Sequence, residues 1–179
     1  MCHALTAFLF LASASAFAGN QTPTQAREQD GGIIATDNGW TLSATLEMME
    51  DQDTFKILRG DVRDAYPNAY SSGVFTSTPS GSSAIYFKSS VPSGVADLIT
   101  ASGLSVTTHA NTGKSFTEWA TQVDAITTHL TSQGYDYFVV AFDHVNTIDV
   151  LIGDGDTLPV LPTNLAGNVT MTGPSSQLI

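Results

Sequence analysis

The sequence predicts an α+β fold: a small antiparallel or mixed β-sheet with two helices packed on one face, preceded by an N-terminal helical segment. Three observations carry this. Lys114 to Ile152 holds a bounded helix, a turn and a hairpin in succession. From Ala84 onward the pattern alternates strand, helix, strand, helix, strand, strand. Residues 40–66 carry apolar positions at spacings of three and four, the period of an amphipathic helix.

The elements follow in order. Residues 1–18 read as a signal peptide: Ala4 to Ala16 is an apolar core, and Ala16-Phe17-Ala18 supplies a small-x-small cleavage pattern before Gly19. Residues 19–39, rich in Gln, Thr, Asp and Gly, read as a flexible leader. In 40–66, Leu42, Leu46 and Met49 fit one stripe, while Phe55, Leu58, Val62 and Ala65 fit a second. Glu50, Asp51 and Asp53 lie between them, and Asp53 is a candidate cap for a second helix, so one helix or two remains open. Gly60 weakens this stretch by about 1 kcal/mol relative to Ala. Tyr66-Pro67-Asn68 ends the helical pattern.

Tyr70 to Phe75 and Ala84 to Lys88 read as a hairpin around a loop containing Pro79 and Gly81. Val91-Pro92 opens a short helix with Val95, Leu98 and Ile99 inward, and Gly103 closes it. Leu104 to His109 alternates as a half-exposed strand. Ser115 with Glu118 forms a capping box for a helix whose stripe is Phe116, Trp119, Val123, Ile126 and Leu130, and Gly134 stops it. Tyr135 to Phe142 is an apolar run expected to be a strand covered on both faces. Asp143 to Thr147 turns, and Ile148, Val150 and Ile152 alternate with Asp149 and Leu151 as its partner. Residues 153–179 read as an extended C-terminal tail, leaving one α+β domain over 40–152, with a sheet-and-helix core at 70–152.

The length of 179 residues suits one domain with a real core. Six basic against 17 acidic residues give a net charge of −11. That balance repels nucleic acid and anionic membrane surfaces, so neither is expected as a partner. The single cysteine, Cys2, falls in the signal segment, so the mature chain carries no disulfide and no thiolate metal site. The expected address is secreted, extracellular or periplasmic.

A search for chemistry returns no catalytic, cofactor-binding or metal-binding residues. Beyond His3, the histidines are His109, His129 and His144, and no G-D-S-G or G-x-S-x-G elbow accompanies them. Asp154-Gly155-Asp156 lacks the third acidic position and the distal glutamate of a calcium loop. The pairs Asp51 with Asp53 and Asp61 with Asp64 read as solvated helix faces. Trp119 lies on the core stripe, and Trp40 stands alone. Asn20-Gln21-Thr22 and Asn168-Val169-Thr170 match the glycosylation sequon.

Tyr70-Ser71-Ser72-Gly73-Val74-Phe75, its partner Ala84 to Phe87, the opening Ser115-Phe116-Thr117-Glu118-Trp119, and Asp143 to Asn146 followed by Ile148, Val150 and Ile152 together resemble a known pattern. It is the C-terminal part of the pro-regions of secreted bacterial serine proteases of the alpha-lytic protease and streptogrisin type. The resemblance spans roughly Tyr66 to Ile152. It implies a non-catalytic module that assists folding of a chymotrypsin-like protease and inhibits it, by packing a sheet edge on the enzyme and laying a tail in the substrate cleft. Here the edge is 135–152 and the tail 153–179. No protease domain follows Ile179, so the expectation is a free-standing module or a truncated precursor. The alternative reading is a secreted or cell-surface structural module using the same sheet for other contacts.

Overall fold

The computed structural model describes residues 22–136, 138–142, 147–153 and 157–173. The signal segment with Cys2 and His3, the Asp143–Asn146 turn with His144, and Asp154–Asp156 lie outside the described residues. The fold is α+β, with four helices and two three-stranded mixed sheets among the described residues.

The N-terminal part is a helical hairpin of α1 (Pro23–Asn38) and α2 (Leu42–Ala65). The flexible leader expected over 19–39 is corrected by α1. Its start is a capping box, in which Thr22 accepts from the Gln25 amide while the Gln25 side chain accepts from the Thr22 amide. Pro23 occupies the first turn, where a missing N–H costs nothing. At the other end Gly39, at φ 70°, and the Trp40 N–H bonding to the Ala35 carbonyl at 2.8 Å close a left-handed cap. Packing supplies the rest. A Cβ on buried Gly31 would sit 2.9 Å from Leu46 Cδ2, so α1 lies close against α2 at this point. Arg27 Nη1 adds an ion pair to Asp53 at 2.7 Å. The helix is polar in composition, but its buried side needs only small residues, Gly31 and Ala35.

α2 runs unbroken through Asp53 and Gly60, which settles the alternative of two helices. Thr41 caps it, accepting from the Ala44 amide. Thr45 and Met48 are buried toward its start and Phe55, Leu58 and Val62 toward its end. Leu42, at its first turn, and Ala65, at its last, are exposed.

The first sheet has the order β1-β2-β3, with β1 (Tyr70–Val74), β2 (Ser83–Phe87) and β3 (Val106–His109). β1 and β2 form an antiparallel hairpin, Tyr70 opposite Phe87 and Gly73 opposite Ile85, with Ser71 bulged between Tyr70 and Ser72. β3 runs parallel to β2, so a crossover is required, and α3 (Val95–Ser102) supplies it. Gly103 at φ 72° ends α3 as expected. Phe55, Leu58 and Val62 of α2, Tyr70, Ile85, Phe87 and Val95 form one buried cluster.

The second sheet has the order β4-β5-β6, with β4 (Phe138–Phe142), β5 (Ile148–Ile152) and β6 (Val169–Thr172). β4 and β5 pair antiparallel as predicted, Val140 opposite Val150. β6 then pairs parallel to β5, Ile148 beside Val169. α4 (Phe116–Ser132) packs beneath, with Trp119, Ile126 and Leu130 against Ile148, Val150 and Ile152. Its capping box is as read from the sequence: the Glu118 amide donates to Ser115 Oγ at 3.3 Å and the Ser115 amide to Glu118 Oε2 at 2.8 Å. Gly134, at φ 86°, follows the helix end.

Three further expectations are corrected here. The strands form two sheets in place of one, because β5 has both of its neighbours in β4 and β6 and makes no pairing with β3. The extended tail over 153–179 contains β6, and Leu161, Leu165, Val169 and Met171 pack on the second core. β4 is not covered on both faces, since Val139 is 59% exposed and Ala141 is exposed. The sheets are joined where Phe116, the first residue of α4, packs into the first cluster with its ring 6.1 Å from that of Tyr70. Burial pushes the Tyr70 phenol up to about 12, against the lowering pull of Arg59 and Arg63. Lys88 Nζ meets Glu118 Oε1 at 2.6 Å across the same junction and, with the Ser115 amide, holds the Glu118 carboxyl below its ordinary range.

Candidate functional site

The surface most suited to contact with another molecule is the outer side of β4 and β5. Strict alternation places Ile148, Val150 and Ile152 on α4 and leaves Asp149 and Leu151 outward. On β4, Phe138 and Val140 pack on the core and Val139 and Ala141 point away from it. Val139 stands directly opposite Leu151, itself 46% exposed, so two branched apolar side chains form one patch. Leu158 is also exposed, and its Cδ2 lies 3.6 Å from where a Cβ on Gly173 would sit, just past the end of β6. β4 is a terminal strand of its sheet, pairing with β5 on one side only. Such an edge presents unpaired backbone donors and acceptors to any extended chain.

The edge is held by elements on either side. Tyr135 follows the Gly134 cap, its amide donating to the Leu130 carbonyl at 3.2 Å and its hydroxyl to the Thr157 carbonyl at 2.8 Å. Gln122 Nε2 donates to the Leu165 and Gly167 carbonyls at 3.3 and 3.2 Å, tying α4 to the segment that leads into β6. Lys114 sits over the Trp119 ring at 4.5 Å and bonds the Gln122 side chain. These contacts fix the inner face of the second sheet and leave the outer one open.

The residues considered for catalysis do not converge. His109 lies exposed on β3 and stacks on Tyr86, with centroids 4.8 Å apart. His129 sits in the last turn of α4, where a positive charge suits the helix dipole. The Ser132 hydroxyl donates to the His129 main-chain carbonyl at 2.7 Å, and neither imidazole bonds a serine hydroxyl or a carboxylate among the described residues. Asp53 is engaged by Arg27, and Asp64 by Arg63 at 3.1 Å. Trp119 is buried in the second core, as its place on the stripe requires, and Trp40 is half-buried beside the α1 cap. Asn168, at φ 60°, is exposed at the turn into β6, and its carbonyl accepts from the Ile148 amide at 2.8 Å. No group of three His, Cys, Asp or Glu side chains among the described residues is placed to hold a metal ion. No described helix is long and apolar enough to cross a membrane.

A surface feature that the sequence does not announce is a cleft of about 330 Å³ between α2 and Phe75, lined by Gln52, Asp53, Phe55, Lys56, Arg59 and Phe75. Its only sequence signal is a glycine, Gly73, inside a strand pattern, which marks a close approach by something else. No family model, curated protein or solved structure matches this chain.

Proposed function

We propose that this chain is an exported, non-catalytic module of the pro-region type, which binds a chymotrypsin-like serine protease by strand addition along β4. The supporting observation is that β4 is a sheet edge beside the exposed pair Val139 and Leu151. Main-chain bonds along an edge supply affinity in such binding, and side chains at alternate positions supply specificity. The tail has a smaller part than the sequence suggests. Residues 157–172 serve the second core and β6, so any insertion into a substrate cleft falls to residues 174–179, beyond the described part.

The test is an inhibition titration against a panel of secreted chymotrypsin-like proteases. Saturable inhibition is expected, weakened at least about tenfold by Val139→Lys, which sets a charge on the apolar patch and is a common device against edge pairing. A protein ending at Gly173 separates the two contacts: retained inhibition assigns them to the edge, and lost inhibition to residues 174–179. Folded protein that inhibits no member of the panel sinks this reading in favour of a structural module with another partner.

A further inference from the structure

We propose that the cleft between α2 and the outer end of β1 is a binding site for an apolar carboxylate, a compact hydrophobic body carrying one anionic group. The chain is strongly acidic overall, and of its six basic residues three are occupied by acids: Arg27 by Asp53, Arg63 by Asp64 and Lys88 by Glu118. Lys114 bonds Gln122 and covers Trp119. Lys56 and Arg59 remain, form no ion pair among the described residues, and both line this cleft. Two cations one helical turn apart, without an ion pair among the described residues, give this cleft a local positive charge in a chain of net charge −11. The cleft's own acid, Asp53, is already satisfied by Arg27.

The apolar half of the site is equally specific. Phe55 and Phe75 lie with ring centroids 5.8 Å apart, and both border the cleft. Arg59 is set beside them by Gly73: a Cβ there would stand 2.9 Å from Arg59 Cδ and 3.3 Å from Phe55 Cζ. Glycine inside a strand carries a conformational cost that any larger residue avoids. Its absence of a side chain leaves room for the Arg59 stem, whose Cγ would lie 3.1 Å from a Cβ there. The volume is at the low end for small-ligand sites, which suits one side chain and one carboxylate and excludes a large cofactor. A free acid and the C-terminal residue of a peptide both offer this chemistry.

Binding of N-acetyl-phenylalanine to the full chain, followed by titration calorimetry and by amide shifts, tests the site. Saturable binding is expected, with shifts on α2 and around Gly73 and Phe75. The neutral N-acetyl-phenylalanine amide should bind at least about tenfold more weakly, since it lacks the charge-assisted bonds. Lys56→Gln and Arg59→Gln, both at exposed helix positions, should each weaken the acid several-fold and leave the amide unchanged. Gly73→Ala should do the same by displacing Arg59 with the net charge preserved. A hexapeptide ending in Phe, free or amidated, separates the sources: tighter binding of the free peptide than of the single residue assigns the site to chain ends. No saturable binding by folded protein, equal binding of acid and amide, or indifference to both charge substitutions would each overturn the proposal.

Discussion

The two sheets repeat one plan with different material. α2 precedes β1, β2 and β3, and α4 precedes β4, β5 and β6; in each an antiparallel hairpin is followed by a third strand parallel to the second. The units differ in the crossover. Residues 88–105 contain α3, which satisfies its own backbone and buries Val95. Residues 153–168 contain no helix among those described; the Gln122 and Tyr135 side chains bond its carbonyls, and its own Leu161 and Leu165 pack on the second core. A parallel third strand needs a crossover of sufficient length, and helix is only one way to make it. The outer faces differ too: Val74, Ala84 and Tyr86 are half-buried in the first sheet, while Val139 and Leu151 stand open in the second.

The largest expected effect comes from ending the chain at Ile152. This removes β6 together with Leu161, Leu165, Val169 and Met171, so β4 and β5 should lose hydrogen-exchange protection entirely while β1 and β2 retain theirs. Equal loss in both sheets would show that the units do not stand apart. Next come Trp119→Ala and Phe87→Ala, each removing a buried aromatic from one core at a cost of about 3–5 kcal/mol. Denaturant unfolding should report the loss, and exchange should place most of it in the substituted unit. The Phe116 contact transmits the remainder.

Gln122→Ala tests the borrowed crossover, since it strands the Leu165 and Gly167 carbonyls. The expected cost is about 1–2 kcal/mol, read as a lower unfolding midpoint. A neutral result would leave the segment held by the packing of Leu161 and Leu165 and by the Tyr135 hydroxyl bond to the Thr157 carbonyl. Ser115→Ala should cost about 1 kcal/mol and Thr41→Ala less, because Ser115 is buried and belongs to a reciprocal box while Thr41 is an exposed single cap.

The smallest effect is electrostatic. Lys88, then the Ser115 amide, lower the folded-state pKa of Glu118, so the contribution is fully present above the ordinary carboxylate range and fades as pH falls through and below it. Both side chains are substantially exposed, which limits the pair to about 0–1 kcal/mol. Lys88→Gln should reduce the acid-side slope of stability against pH, and high salt should reduce the difference between the two proteins.

Elements with a strong period or a punctuating residue were legible. The Ser115 box, the Gly103 and Gly134 stops and the alternation of β5 all name their structure locally. α1 was less so, because its buried side is Gly31 and Ala35, which leave no apolar stripe; the Thr22-Pro23-x-Gln25 start and Gly39 were the available signals. β6 alternates only weakly, and its strand character comes from pairing with β5. Of the candidate surfaces, the β4–β5 hairpin could be read from residues. The Lys56 and Arg59 cleft could not, because it needs Phe75 and Gly73 brought beside α2.

By itself the sequence determined both ends of α4, the C-terminal ends of α2 and α3 and the two hairpins, because caps, glycines and period act over a few residues. Only the tertiary structure decided that the six described strands divide into two sheets, that the C-terminal segment completes the second, and that Lys56 and Arg59 line one cleft with Phe55 and Phe75. Those outcomes rest on contacts between residues far apart in the chain, such as Ile148 with Val169 and Arg59 with Gly73, for which local pattern carries no signal.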